Sequence, residues 1–426
     1  MGILPSVLKG KHTLGLSAIL SFAECPSSLV LSLLDTILHI MSALDVGLIL
    51  LGLLILVAGG ELLVRGASTM ASRWGLSPLA VGLTVVAVGT SSPELAVSVG
   101  AVLRGEMDLA VGNVVGSNIA NVLLILGVAA LVLPLAVKEH LVRIDVPAMI
   151  VASVALLFCA LDGVISTLDG ILLLGLMLSH TILTVTLSRR VTAPKTHVPV
   201  QAATKDVGEP HEGAKTTRDG DAGSAATLTT PIAVLLVLVG IALLAGGANL
   251  LVTGAVNVAT SLGVSGLVVG LTIVAVGTSM PELITSVVAA LRGERDIAVG
   301  NVVGSCIANI GLVLGLPALF TSGGIPVASA AIAVDIPLLL AAAVVVAPIA
   351  FTGFTVQRWE GALLVGLYLA YVAYVVLDAT GHQAQSGFTW TMTFFVFPLL
   401  VLTLATTVGY SLRRRIRPGT NLSATP

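Results

Sequence analysis

The chain is organised as a series of long apolar segments separated by short polar ones. Most apolar segments contain about 20 residues or more, the length that an α-helix needs to cross the hydrocarbon core of a bilayer. The pattern therefore predicts membrane-spanning helices at 46–70, 77–102, 109–134, 144–162, 168–188, 232–258, 266–291, 297–320, 328–350, 360–378 and 389–411.

Composition supports a membrane protein rather than a soluble domain. Hydrophobic residues make up 56% of the chain and charged residues only 10%, and the mean hydropathy is +1.07, far from the balance of a soluble domain. The three cysteines are scattered and form neither a disulfide framework nor a metal-binding spacing. The net charge of -2 says little about partners. We expect the lipid bilayer as the surroundings and no nucleic acid.

One stretch occurs twice. Residues 81–127 and 269–315 align without a gap, with 35 identities in 47 positions. Weaker matches extend the repeat to five spans, for example Asp145-Val-Pro147 with Asp335-Ile-Pro337. Because five is odd, the second unit must enter the membrane from the opposite side, as in many secondary transporters. The predicted fold is an all-α polytopic membrane protein with a ten-helix core of two inverted five-helix repeats, plus an extra C-terminal helix.

Polar stretches divide the chain further. The segment between the fifth and sixth spans mixes Pro, Gly, Lys and acidic residues and is typical of a flexible linker. The first 44 residues fit a leader, an extension or an extra helix, and Met41 is a credible start. The expected organisation is a leader or extra helix over 1–44, a first repeat over 45–188, a linker over 189–230, a second repeat over 231–378, and a further helix with a basic tail over 379–426.

The distribution of basic residues predicts the orientation. If the 189–230 linker is cytoplasmic, 16 of the 20 Lys and Arg residues fall on the cytoplasmic side, as the positive-inside rule requires. We therefore expect a multi-pass protein of the plasma membrane with a cytoplasmic linker and C-terminal tail. The pattern does not define the oligomeric state, and a monomer is compatible with it.

Each copy of the repeat carries one acidic residue inside an apolar run, Glu94 and Glu282. A charged residue within a membrane span is costly and indicates a functional site. Thr90 and Ser91 lie four and three residues before Glu94, on the same helix face. Pro93 lacks an N–H group, so it should kink the helix and free backbone carbonyl groups. Thr278, Ser279 and Pro281 repeat the arrangement before Glu282.

The next span in each repeat adds a polar stripe with a spacing of four residues. The stripe is Asn113, Ser117 and Asn121 in the first copy and Asn301, Ser305 and Asn309 in the second. In isolation, such residues are more often contacts between helices. Together with two carboxylates they offer oxygen ligands only, which suit hard cations such as Ca²⁺ or Na⁺ and disfavour zinc or copper. The formal charge of two carboxylates matches that of one divalent cation, or of two or more monovalent cations.

At these residues the chain resembles the calcium/cation antiporter superfamily, specifically the prokaryotic sodium/calcium exchangers. The motifs GTSSPE with GNVVGSNIAN and GTSMPE with GNVVGSCIAN carry the resemblance, which covers both repeats and the ten-span frame. It implies an antiporter that exchanges Na⁺ for Ca²⁺ by alternating access, in which the first and sixth helices slide against an eight-helix body. Ca²⁺ and Na⁺ would be transported substrates, with no cofactor.

The resemblance also implies roles for individual residues. Glu94 and Glu282 would be the central Ca²⁺ ligands, shared competitively with Na⁺. Flanking Na⁺ sites would be formed by Thr90, Ser91, Thr278 and Ser279, with the carbonyl groups of Ala87 and Ala275. The central region would be completed by Ser117, Ser305, Asn121 and Asn309.

Two departures bear on the coupling ion. Both copies have Asn where some exchangers of this type carry Asp at the position of Asn309, which argues weakly against K⁺ coupling. Gly116 and Gly304 stand where proton-coupled calcium exchangers have glutamate, which speaks against protons.

The alternatives are a proton-coupled antiporter of Ca²⁺ or of another divalent cation, a cation channel, and an intramembrane enzyme. An inverted repeat disfavours a channel, because channels usually repeat subunits around a pore axis. No nucleophile or zinc motif accompanies the carboxylates, so we expect no enzyme activity.

Overall fold

The structure is a computed structural model that describes residues 43–192, 229–264, 266–351, 354–398, 401–403 and 405–406. The predicted leader, most of the predicted linker and the basic C-terminal tail lie outside these ranges. The division of the chain at those segments therefore stays a prediction.

The described part of the chain is almost entirely helical. It contains eight helices that are long and apolar enough to cross a membrane, or ten if each of two bent pairs is one span. The all-α polytopic fold predicted from the sequence is thus confirmed. The helices are α1 (Ala43–Trp74), α2a (Pro78–Thr90), α2b (Ser92–Arg104), α3 (Met107–Val132), α4 (Leu141–Ala160), α5 (Thr167–Thr192), α6 (Thr230–Ser261), α7a (Thr272–Thr278), α7b (Met280–Leu291), α8 (Arg295–Ala318), α9 (Ala331–Ile349), α10 (Arg358–Ala379) and α11 (Ala384–Thr391).

Short strands between the helices join the two repeats. The strand β1 (Leu135–Ala136) pairs with β4 (Thr355–Val356), and β2 (Val164–Ile165) pairs with β3 (Ile325–Pro326), both antiparallel. If each span crosses once, the first pair lies on the side of the bundle where α5 ends and α6 begins, and the second pair on the opposite side. We call these the linker side and the far side. Exchange of the two repeats turns one pairing into the other, which agrees with an inverted repeat.

The helices α1 and α6 pack tightly along their length through glycines spaced seven residues apart. A Cβ atom at Gly52 would lie 2.6 Å from the backbone nitrogen of Leu251, and one at Gly59 would lie 2.9 Å from that of Leu244. On the other helix, a Cβ at Gly247 would lie 2.8 Å from the nitrogen of Leu56. Small residues that let helix backbones approach closely are the usual basis of association in membranes. The two helices therefore form one unit.

Wide π-helical turns interrupt three pairs of spans at matching positions. Gly82–Val86 in α2a corresponds to Gly270–Val274 at the start of α7a, and Ala120–Ile125 in α3 corresponds to Asn309–Leu314 in α8. The third pair is Leu141–Asp145 in α4 and Ala331–Asp335 in α9. Such turns are rare and frequently mark functional sites. Here they flank the polar residues of both repeats.

Candidate functional site

The spans that carry the two glutamates are broken at the glutamate motifs. The axes of α2a and α2b differ by 42° and those of α7a and α7b by 53°. At each break one serine leaves the helical range, with ψ at 5° for Ser91 and 8° for Ser279. A proline follows two residues later, where its missing N–H costs nothing because the first turn of a helix lacks partners anyway. The kink predicted from the sequence is present in both repeats.

The two breaks bring the carboxyl groups together inside the bundle. Glu94 is 1% exposed and Glu282 is fully buried, and each lies in the first turn of its half-helix, where the helix dipole favours negative charge. The two side chains lie within electrostatic reach of each other. Ser91 of the first repeat donates a hydrogen bond of 3.2 Å to Oε1 of Glu282 in the second. The site is therefore shared between the repeats.

A second contact between the repeats is made by Thr90. Its hydroxyl group donates to Oδ1 of Asn301 at 3.1 Å and lies 3.5 Å from the hydroxyl of Ser305, both on α8. It also lies 3.3 Å from the carbonyl oxygen of Ala87. The threonine thus gathers a hydroxyl, an amide oxygen and a backbone carbonyl at one level of the bundle.

The polar stripes of α3 and α8 face the same region of the bundle. Ser117 and Asn121 of α3 are buried, as are Ser305 and Asn309 of α8. Both asparagines stand at the π-helical turns, Asn121 within one and Asn309 at the start of the other. The sequence placed these residues on one helix face, and the structure turns both faces into the core.

Several buried polar atoms at this site have no hydrogen-bond partner among the described residues. A buried polar group without a partner costs free energy, so such groups are rare and call for an explanation. A hard cation that takes oxygen ligands would satisfy the oxygens. The atoms are both side-chain oxygens of Glu94, Oε2 of Glu282, Oγ of Ser279, Oγ1 of Thr285, and the amide groups of Asn121 and Asn309.

The structure places most of the predicted ligands in this region. Thr278 is half-buried at the end of α7a. Ala275 belongs to the same short helix, but its side chain lies outside the described part of the chain. Sequence reasoning did not single out Ser98, Thr285 and Ser286, which are fully buried beside the glutamates. Ser98 and Ser286 each lie four residues after a glutamate, and that spacing was the available signal.

The helices around the site pack differently on the two sides of the bundle. On the linker side, Gly300 and Gly304 of α8 are buried, and a Cβ at Gly304 would lie 2.6 Å from the carbonyl oxygen of Leu83 in α2a. On the far side, the matching Gly112 of α3 is exposed and Gly116 is half-buried. A Cβ at either would meet no atom of the described residues within 4 Å. Among the described residues, the linker side is therefore the more tightly packed.

Paired carboxylates, hydroxyls and broken helices at the interface of two inverted repeats define the class of secondary transporters. A family model described as sodium/calcium exchanger protein matches residues 44–186 and 232–377, which span both repeats. The chain therefore belongs to the sodium/calcium exchanger family. It is a multi-pass cation antiporter and not an enzyme, and ions are its transported substrates rather than resident cofactors.

Individual relatives agree with this family. The chain is 39% identical over 282 residues to inner membrane protein YrbG of Escherichia coli, covering 66% of this chain and 82% of the relative. It is 34% identical over 348 residues to sodium/calcium exchanger MaX1 of Methanosarcina acetivorans, covering 76% and 96%. Among solved structures, the sodium-calcium exchanger NCX_Mj matches with a TM-score of 0.63 and 29% identity, covering 78% of this chain and 99% of that one.

Proposed function

We propose that this protein exchanges Na⁺ for Ca²⁺ across the plasma membrane by alternating access, with Glu94 and Glu282 as ligands shared by the two ions. The observation that carries the proposal is the meeting of two buried carboxyl groups from mirrored helix breaks, among oxygens without hydrogen-bond partners. Ligands of this kind select hard cations.

The charge of the site gives a physical reason for exchange. Two carboxylates carry a formal charge of −2, which one Ca²⁺ or two Na⁺ ions neutralise. Buried charge that is not compensated is strongly unfavourable in a membrane protein. Each ion type therefore replaces the other at the carboxylates, and competition between them couples the two fluxes.

The names of similar proteins support Na⁺ as the coupling ion. MaX1 and NCX_Mj are both called sodium/calcium exchangers. The glycines at 116 and 304, where proton-coupled relatives are expected to carry glutamate, agree with the same choice.

Alternating access is supported by the unequal packing of the two sides. Inverted repeats can exchange their conformations, so that the side closed in one state opens in the other. The helices α1 and α6 are packed closely against each other, so they can move as one unit without breaking the contacts between them. A conformation closed at Gly300 and Gly304 and looser at Gly112 and Gly116 fits one of two mirrored states.

The orientation of the chain is also a proposal. We place the linker side in the cytoplasm, because that orientation puts 16 of the 20 basic residues inside as the positive-inside rule requires. The 189–230 linker and the C-terminal tail would then be cytoplasmic.

The test is uptake of ⁴⁵Ca²⁺ into proteoliposomes loaded with Na⁺, compared with liposomes loaded with K⁺ and with liposomes under a pH gradient. We expect uptake only with internal Na⁺. Glu94→Gln and Glu282→Gln each remove one charge from the site. Each should lower apparent Ca²⁺ affinity by about 100-fold or more, because the loss of a ligand should exceed the effect of losing a residue that only supports a ligand.

Controls distinguish Na⁺/Ca²⁺ exchange from the alternative functions. Folding of both variants is checked by size-exclusion chromatography, so that loss of transport is not loss of protein. Uptake driven by a pH gradient alone would replace Na⁺ with H⁺ as the coupling ion. If folded wild-type protein moves no Ca²⁺ under either gradient, the Ca²⁺ assignment is wrong.

A further inference from the structure

One asparagine in each repeat is bonded to the backbone of the glutamate beside it. Nδ2 of Asn113 donates to the backbone carbonyl oxygen of Glu94 at 3.1 Å and to the hydroxyl of Ser98 at 2.9 Å. Nδ2 of Asn301 makes the same pair of bonds, to the carbonyl of Glu282 at 3.3 Å and to Ser286 at 3.0 Å. The sequence stripe contained both asparagines but gave them no separate role.

The chemistry of the acceptors fixes the orientation of these amide groups. A backbone carbonyl can only accept a hydrogen bond, so the atom that faces it must be the amide nitrogen. In the second repeat this leaves Oδ1 of Asn301 pointing away from the carbonyl of Glu282, where it accepts the bond from Thr90. Asn301 thus connects α7b, α8 and α2a through one side chain.

These bonds act at the weakest point of each broken span. The first turn after a helix break keeps few backbone bonds to the turn before it, among them Leu95 N–H to the carbonyl of Ser91 and Leu283 N–H to that of Ser279, so its position also depends on contacts from neighbouring helices. The asparagine holds the glutamate's own carbonyl and the serine one turn later, and thereby fixes the half-helix from which the carboxyl group projects. Residues that hold ligands in place commonly affect metal affinity by about 10–100-fold.

A contrast within the same stripe separates positioning from ligation. The amide groups of Asn121 and Asn309 have no hydrogen-bond partner among the described residues, so their oxygens are available to an ion. Asn113 and Asn301 already use their amide nitrogen on the glutamate turns. We propose that Asn113 and Asn301 are positioning residues that fix the carboxylates of Glu94 and Glu282 for cation binding. The proposal rests on the proposed function.

Replacement by Ala and by Asp tests the role. Ala removes all the bonds, whereas Asp keeps the shape but turns an acceptor toward the carbonyl of the glutamate. A positioning role predicts that Asn301→Ala and Asn301→Asp both weaken Ca²⁺ binding, by about 10–100-fold. A ligand role predicts the opposite for Asp, because a carboxylate is the stronger ligand for Ca²⁺. Equal or tighter Ca²⁺ binding by the Asp variant would overturn the proposal.

The binding assay uses ⁴⁵Ca²⁺ on the purified full chain, with Na⁺ competition and apparent KM and kcat from liposome uptake. Positioning predicts a larger rise in KM than fall in kcat. Because Asn301 joins three helices, its variants carry a greater risk of misfolding than those of Asn113. Asn113 is only half-buried, so the Asn113 variants provide a second test and should show the same pattern.

A control and a second readout complete the design. Asn118→Cys introduces the residue found at the matching position of the other repeat, Cys306, and Asn118 bonds by Nδ2 to its own helix at Val114. We expect Asn118→Cys to bind Ca²⁺ with wild-type affinity. Hydrogen exchange of the amides at 282–286 should be faster in Asn301→Ala, a result independent of the ion transported. Unchanged exchange would refute positioning, whereas absence of Ca²⁺ binding in wild type would refute the proposed function instead.

Discussion

Gly304 and Gly116 occupy matching positions in two nearly identical motifs, yet their surroundings differ. A Cβ at Gly304 would press on Leu83 and Ala87, at 2.6 Å and 2.8 Å, whereas one at Gly116 would meet no described atom within 4 Å. The same sequence is therefore in a closed contact in one repeat and a looser one in the other. The difference shows that the motif is compatible with two packing states, of which the structure adopts one at each end.

A related difference separates the half-helices that follow the glutamates. On the linker side, α1 covers α7b, with a Cβ at Gly60 lying 3.1 Å from Ile284. On the far side, the residue that matches Ile284 is Ala96 of α2b, and it is exposed. Both comparisons place the closed contacts on the linker side. They define what must change if the two sides exchange roles.

The largest expected effect comes from filling the closed contact. Gly304→Val should force α2a away from α8, since overpacking costs about 1–3 kcal/mol, which corresponds to about 5- to 150-fold in the balance between states. We expect loss of transport and a longer distance between spin labels at the linker-side ends of α2a and α8, measured by double electron–electron resonance. Wild-type transport in this variant would contradict the closed contact.

The matched change at the other end should leave the observed conformation in place and still impair transport. Gly116→Val should leave the observed packing intact because a Cβ there meets no described atom within 4 Å, so the same spin-label distance should stay as in wild type. Transport should still fall by about 5-fold or more, because the mirrored state would need Gly116 to pack as Gly304 does here. Full transport by Gly116→Val would show that α3 and α7a never close in this way.

The fold followed closely from the sequence, but the inequality of its two ends did not. Apolar segments and the odd-numbered repeat indicated an inverted ten-span core, and Pro93 and Pro281 marked the kinks. Neither Gly304 nor Gly116 carries any sign of its state, because both stand in the same GNVVGS motif. Packing of distant helices decides the state, and the local sequence does not record it.

The contacts between repeats were equally inaccessible to spacing rules. Helical periodicity placed Ser91 and Thr90 beside Glu94, within their own repeat. The structure shows Ser91 bonded to Glu282 and Thr90 bonded to Asn301. Which residues meet across the interface depends on how the two repeats interlock, and periodicity describes only one helix at a time.

A moderate effect is expected from an ion pair that exists at one end only. Arg292 contacts Glu61 of α1 through two nitrogens, and Glu294 accepts a bond of 2.6 Å from Ser68 of the same helix. The matching Arg104 pairs with Glu106 of its own loop instead. Because these side chains are partly exposed, the pair between Arg292 and Glu61 stabilises the closed linker side by about 0–1 kcal/mol.

Removal of that pair should loosen the linker side slightly. We expect Glu61→Gln to shift the spin-label distances toward the open form by up to about 5-fold in population, with Arg104→Gln as the matched control that leaves them unchanged. Higher salt should reduce the difference between wild type and Glu61→Gln, because screening weakens exposed pairs. Equal shifts in both variants would show that the pair between Arg292 and Glu61 does not hold the linker side closed.

The smallest effect should come from an ion pair on the linker side that does not involve α1 or α6. Lys138, in the loop between α3 and α4, pairs with Asp296 at the start of α8. The pair involves none of α1, α2a and α6, so it should persist in both states. Lys138→Gln should lower thermal stability by about 1 kcal/mol or less and leave the spin-label distances and Ca²⁺ uptake unchanged. A change in the distances as large as that of Glu61→Gln would mean that α3 and α8 also move relative to each other.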